Sequence, residues 1–187
     1  MAAISVAHRK TYQDYLETPD DGQRYELIDG EIIVSPSPIL LHQRTVKMLS
    51  RLLDDFVIPR RLGEVVLSPI DVRLAANIVV QPDIAFVRRG SAADNPAEAR
   101  IAGSPELMIE VLSLSNPGHD LVRKRELYAR YGVPEYWIVD PIRRTIVALT
   151  LIAGQYAEIP QENESFDSAA LTGLTVDVPA FFESAVQ

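Results

Sequence analysis

The chain has 187 residues, 47% of them hydrophobic and 24% charged, with a formal net charge of −8 and no cysteine. That balance fits one self-folding globular domain with its own core, and it excludes a disordered chain, a disulfide framework and a thiolate metal centre. The acid excess also counts against a protein that coats DNA by general positive charge, because such binding comes from Lys and Arg neutralising phosphates.

The first residues, MAAISVAHRKTYQDY, lack the apolar stretch of a signal peptide, and no window approaches the roughly 18 apolar residues of a membrane span, so the expected location is the cytoplasm. TYQDYLE, residues 11 to 17, reads as a short helix. RYELI and EIIVS flank Asp29-Gly30, a pair that tolerates positive φ, and so predict a β-hairpin. After the Pro36-Ser37-Pro38 breaker, apolar residues recur at helical spacing from Ile39 to about Phe56. Segments 63–67, 69–74 and 78–87 read as three strands, with Ala75-Ala76-Asn77 turning between the last two.

Residues 88 to 105, rich in Ala, Gly, Ser, Pro and Asn, read as a loop. ELMIEVLSL is the next strand; Ser115-Asn116-Pro117-Gly118 leads into a helix from about Asp120 to Tyr131, closed by Gly132. EYWIV, TIVALTL and Gln155 to Ile159 follow as strands, and residues 151 to 187 read as peripheral strands and tail of a single domain spanning 1–187. A hairpin, then strands with a helix on either side of the strand block, predicts an α/β sheet protein.

Three residues stand out for chemistry. In ELMIEVLSL the alternation sets Glu110 beside Met108 and Leu112, where a lone carboxylate needs a cation, a metal or a proton unless the strand is an edge with one solvated face. In IVVQPDIAF, Gln81 and Asp83 share a face, and Pro82, which has no N–H, marks an edge, bulge or bend. On the 120–131 helix, Leu121, Lys124, Tyr128 and Tyr131 form one stripe, with Arg123, Arg125 and Arg130 off it. Lys124 is thus directed at the apolar side, where it either meets an anion or lies along the apolar surface.

Two carboxylates on neighbouring strands and an inward lysine are the set required to hydrolyse a phosphodiester. Asp83 and Glu110 can hold Mg²⁺, with Mn²⁺ as a substitute, while Lys124 orients a water or stabilises developing charge. An acidic nuclease remains consistent with the net charge, because the cation offsets site carboxylates and local basic groups can steer substrate. Those groups are Arg88-Arg89, Arg123-Lys124-Arg125 with Arg130, and Arg143-Arg144.

A two-residue turn at Asp29-Gly30 puts Glu26 and Glu31 on one hairpin face, as supporting ligands or as a solvated surface. His42, near a helix start, is either a phosphate contact or a structural residue. Trp137 alternates within an apolar strand and reads as core, not as a base-stacking platform.

The runs YELIDGE, HQ, QPDIAFV, PELMIEVLS and, above all, DLVRKRELYARYGVPEYWIVDP resemble the Uma-two-type restriction endonuclease-like family of the PD-(D/E)XK nuclease superfamily, over about residues 11–150. The resemblance implies a restriction-endonuclease-like core: a central mixed β-sheet flanked by helices, with an N-terminal β-hairpin. It implies a Mg²⁺-dependent endonuclease on DNA, with Asp83, Glu110 and Lys124 catalytic and Glu26 and Glu31 supporting. The superfamily lysine stands two residues after the second acid, which here is Leu112, so the cation is supplied from the next helix as Lys124. A catalytically inactive nuclease-fold protein that binds nucleic acid or protein is the alternative, and homodimer formation is the expectation for an enzyme that reaches both strands.

Overall fold

In the computed structural model, which describes residues 9–35, 37–95, 97, 99–113 and 119–185, a capping box opens the fold. The Thr11 hydroxyl accepts the Asp14 N–H, and the Asp14 carboxylate accepts the Thr11 N–H, which starts α1 (Tyr12–Leu16). The hairpin follows as β1 (Arg24–Ile28) and β2 (Glu31–Ser35), with Glu26 opposite Ile33 and Ile28 opposite Glu31. Asp29 and Gly30 have φ of 52° and 84°, so both turn residues are left-handed, as a two-residue turn matched to strand twist requires.

Helix α2 (Leu40–Arg60) runs past the expected end near Phe56 and stops where Arg61 turns left-handed at φ 54°. There the Arg61 and Leu62 N–H groups close on the carbonyls of Ile58 and Val57. Next come β3 (Gly63–Leu67), β4 (Val72–Ala75), β5 (Ile78–Val80) and β6 (Ile84–Arg88). The expected strand over 78–87 is therefore two strands, and they belong to different sheets. Pro82 offers no N–H to a ladder, and the Gln81 N–H donates to the Glu26 carboxylate at 2.7 Å instead.

The expected loop over 88–105 contains a two-residue strand, β7 (Ile101–Ala102), parallel to β4. Then follow β8 (Leu107–Val111), α3 (His119–Arg130), β9 (Glu135–Asp140), β10 (Thr145–Ile152) and β11 (Gln155–Glu158). The Ser115-Asn116-Pro117-Gly118 connection lies outside the described residues, as do Pro36 of the breaker and the side chain of Leu121. The chain closes with β12 (Ser165–Asp167), β13 (Thr175–Asp177) and α4 (Val178–Ala185).

Two main sheets result. A six-stranded mixed sheet has the order β11-β10-β9-β8-β6-β3, with β8 and β9 parallel, and a five-stranded sheet has the order β2-β1-β5-β4-β7. Strand alternation divides the six-stranded sheet between two cores. Ile84, Phe86, Leu107, Ile109 and Trp137 face α2 and α4, while Ala85, Met108 and Tyr136 face α3 and the five-stranded sheet.

Residues 166 to 182 are not the peripheral cover expected of them. Phe166, Leu171, Val176, Phe181 and Phe182 lie in the same core as β6, β8 and β9. Trp137 meets Phe166 edge to face, with centroids 5.2 Å apart. Truncating a buried aromatic of this kind costs about 3–5 kcal/mol, so this segment is part of what holds the sheet. Among the described residues, no helix is long and apolar enough to cross a membrane.

Candidate active site

The geometry of the site begins with strand register. β6 and β8 are antiparallel, with Ile84 opposite Ile109 and Ala85 opposite Met108. Asp83 immediately precedes β6 and Glu110 follows Ile109 on β8, so the pairing brings the two carboxylates to the same strand end. The Val111 N–H donates to Asp83 Oδ2 at 2.8 Å, so the aspartate closes the strand end beside Glu110. Both carboxylates are buried, which rules out the solvated-edge alternative for Glu110.

Helix α3 supplies the counter-charge. Lys124 Nζ lies 3.0 Å from Glu110 Oε1 and 3.1 Å from Glu26 Oε1. One turn on, the Tyr128 hydroxyl donates to the same Glu110 oxygen at 2.7 Å. Lys124 and Tyr128 are the stripe pair expected from helical spacing, and Lys124 is only 4% exposed, so it meets anions and does not reach along the surface to water. Burial and the nearby Glu110 push the Tyr128 phenol well above its ordinary pKa and keep it a donor.

The two acids titrate in opposite directions. Burial raises Asp83, but the His42 hydrogen bond, the Arg24 and His42 charges and the Val111 N–H outweigh it and bring its pKa down to about 2. Burial also raises Glu110; Lys124 opposes this while Asp83 and Glu26 add to it, and the carboxyl ends at about 7. Neighbouring carboxylates held apart in pKa are a frequent feature of catalytic sites.

Asp83 is also reached from the other side. Arg24 Nη1 donates to Oδ1 at 2.7 Å and Nη2 donates to the Gln81 carbonyl, while His42 Nε2 lies 3.1 Å from Oδ2. His42 thus contacts a carboxylate, not open surface. These three residues line a cleft of about 510 Å³ whose wall includes the start of α2, with Ser37 and Gln43, and also Asp71 and Gln81.

The Mg²⁺ that the resemblance implies would meet only hard oxygen donors here. Asp83 and Glu110 offer only hard oxygen ligands, and Glu26 Oε2 is buried with no hydrogen-bond partner. Among the described residues, no group of three or more His, Asp or Glu side chains is placed to hold a metal ion. Two carboxylates suffice for Mg²⁺, which keeps several of its waters.

Of the three catalytic and two supporting residues expected from the sequence, four come together: Glu26, Asp83, Glu110 and Lys124. Glu31 does not. It shares the hairpin face with Glu26, but its side chain is 68% exposed and pairs with Arg123 at 2.9 Å. Arg130 likewise approaches Asp29 at 3.4 Å, so two arginines of the expected basic patch tie α3 to the hairpin. Arg24 is the site residue that sequence reasoning misses, although the strand period of two places it on the same side as Glu26.

A mixed six-stranded sheet with its acidic pair at adjacent strand ends, flanked by helices, defines a restriction-endonuclease-like nuclease fold. The Uma2 family model, described as "Putative restriction endonuclease", matches residues 12–179, and the chain belongs to that family. A crystal structure from Anabaena variabilis ATCC 29413, of a "putative nuclease belonging to DUF820", superposes with a TM-score of 0.78 at 18% identity. The match covers 94% of this chain and 98% of that one, and at such identity it speaks for the fold. No curated protein matches the chain.

Proposed function

We propose that the chain is a Mg²⁺-dependent endonuclease that hydrolyses phosphodiester bonds in DNA, with Asp83 and Glu110 holding the cation, Mn²⁺ able to replace it, and Lys124 as the third catalytic residue. One observation carries this reading: the β6–β8 pairing brings the two carboxylates to the same strand end while α3 directs an ammonium at one of them.

A divalent cation held there would make a coordinated water more acidic and neutralise charge on the phosphate. The chain's own groups have separate tasks. Lys124, held between Glu26 and Glu110, keeps a fixed positive charge beside the Glu110 carboxylate, where it would orient the attacking water. The Tyr128 hydroxyl fixes the Glu110 carboxylate, and His42 and the Val111 N–H fix that of Asp83, so the acids need little reorganisation. Two copies of the chain would bring such sites to both strands of a duplex.

The test is nicking of supercoiled plasmid. Cleavage with Mg²⁺, its loss with EDTA, and its loss in both Asp83→Ala and Glu110→Ala are expected; full cleavage by both variants would overturn the site. A second reading, a nuclease scaffold retained for binding nucleic acid or protein, is favoured by one observation: Asp83 and Glu110 are each already paired with a cationic side chain. It requires that Mn²⁺ give no binding heat and that Lys124→Ala leave nucleic-acid affinity unchanged.

A further inference from the structure

We infer that Arg24 is exchanged between two anions, neutralising Asp83 while the cation site is vacant and holding a backbone phosphate of the nucleic acid once a cation occupies it. This rests on the reading of Asp83 as a cation ligand.

The guanidinium is placed for both roles. Its Nη1 contact with Asp83 Oδ1, at 2.7 Å, puts a full positive charge on a carboxylate that a metal also requires. A divalent cation and a guanidinium beside one carboxylate repel each other, so binding of the first favours departure of the second. Departure exchanges the Asp83 and Gln81 contacts for contacts in the cleft. The Arg24 side chain is 19% exposed and lines the cleft, so it borders the space a phosphate would enter.

Its present site also leaves it incompletely satisfied. Nη1 and Nη2 have acceptors, but Nε is buried with no hydrogen-bond partner. A phosphodiester in the cleft offers a planar donor fork two acceptor oxygens, the geometry at which arginine outperforms lysine. The wall beside it includes His42 and Gln43 of the first turn of α2, which carries no acid. Besides Asp83, the wall carries Asp20 and Asp71, and Asp71 accepts from the Tyr15 hydroxyl at 2.6 Å and the Gln81 amide at 3.0 Å.

Lys124 does not duplicate this role. Its ammonium lies between Glu26 and Glu110, both of them buried, whereas Arg24 reaches the cleft. The exchange makes metal loading and substrate capture cooperative: the cation frees the arginine, and the phosphate keeps it from returning.

Calorimetry with MnCl₂ alone, on wild type, Arg24→Met and Asp83→Asn, separates the possibilities. Arg24→Met is expected to bind Mn²⁺ at least tenfold tighter than wild type, and to bind a fluorescent 12-base-pair DNA duplex in Ca²⁺ at least tenfold more weakly. Mn²⁺ affinity unchanged or weakened in Arg24→Met, or duplex affinity unchanged, overturns the exchange. If wild type binds Mn²⁺, Asp83→Asn does not and Arg24→Met matches wild type, the exchange is wrong and the cation site stands. If Asp83→Asn binds Mn²⁺ as wild type does, the cation site is wrong and the exchange falls with it. Should Arg24→Met fail to fold, the Arg24 Nε–H resonance of ¹⁵N-labelled wild type decides the matter: it must shift on adding Mg²⁺, and a static signal at saturating Mg²⁺ overturns the exchange.

Discussion

Lys124 Nζ lies 3.0 Å from Glu110 Oε1, joining the middle of α3 to the strand that bears the second acid. The same ammonium lies 3.1 Å from Glu26 Oε1, so one buried cation serves two buried carboxylates from different sheets. Removing one partner from such a group leaves uncompensated buried charge, which costs about 3–5 kcal/mol. Lys124→Met is therefore expected to lose stability on that scale as well as cleavage, read from urea denaturation. A loss under about 1 kcal/mol would show that the pair is solvated.

The raised Glu110 gives a pH dependence of stability. Its carboxyl has an ordinary value of 4.5 and sits at about 7 in the fold, so the folded state keeps a proton that the unfolded chain releases between these values. Stability attributable to this group is present below pH 4.5, declines as pH rises to about 7 and is flat above, on the order of 3 kcal/mol in all. Asp83 acts oppositely: its contribution is present above the ordinary carboxylate range and is lost as pH falls toward 2. In EDTA, the stability difference between wild type and Glu110→Gln should therefore move against wild type from pH 4.5 to about 7. A constant difference across that range would contradict the raised value.

Far from the cleft, Glu135 holds the C-terminal segment to the sheet. Its carboxylate accepts the Trp137 indole N–H at 2.6 Å, the Ser168 hydroxyl at 2.8 Å and the Ala170 N–H at 2.5 Å. Glu135→Ala strands these donors and is expected to cost about 3 kcal/mol, since each unsatisfied buried group costs about 1–3. The single tryptophan makes this visible: its fluorescence should shift to the red in Glu135→Ala and less in Glu135→Gln. An unchanged spectrum with unchanged stability would remove the clamp.

What is legible in the sequence follows from local rules. Asp29-Gly30 set the hairpin register by turn chemistry, strand alternation places Glu110 inward, and helical spacing does the same for Lys124 with Tyr128. What is not legible depends on contacts between distant segments. Pro82 announces a break, but its consequence, β5 and β6 in separate sheets, is decided by which strands each one finds. Glu26 and Glu31 share a hairpin face, yet only the tertiary packing of α3 buries one and leaves the other at the rim. Arg24 and His42 meet Asp83 from 59 and 41 residues away, and no local period encodes such a meeting. The C-terminal segment reads as peripheral because its apolar residues are dispersed through short elements, although together they complete a core.

The most direct test of the proposed site is anomalous diffraction from crystals soaked in MnCl₂. A Mn²⁺ peak within coordination distance of both Asp83 and Glu110, and absent in Asp83→Asn crystals treated the same way, is the expected result. No peak between the two carboxylates at saturating Mn²⁺, with the Arg24–Asp83 and Lys124–Glu110 pairs intact, would contradict a cation-dependent nuclease centre.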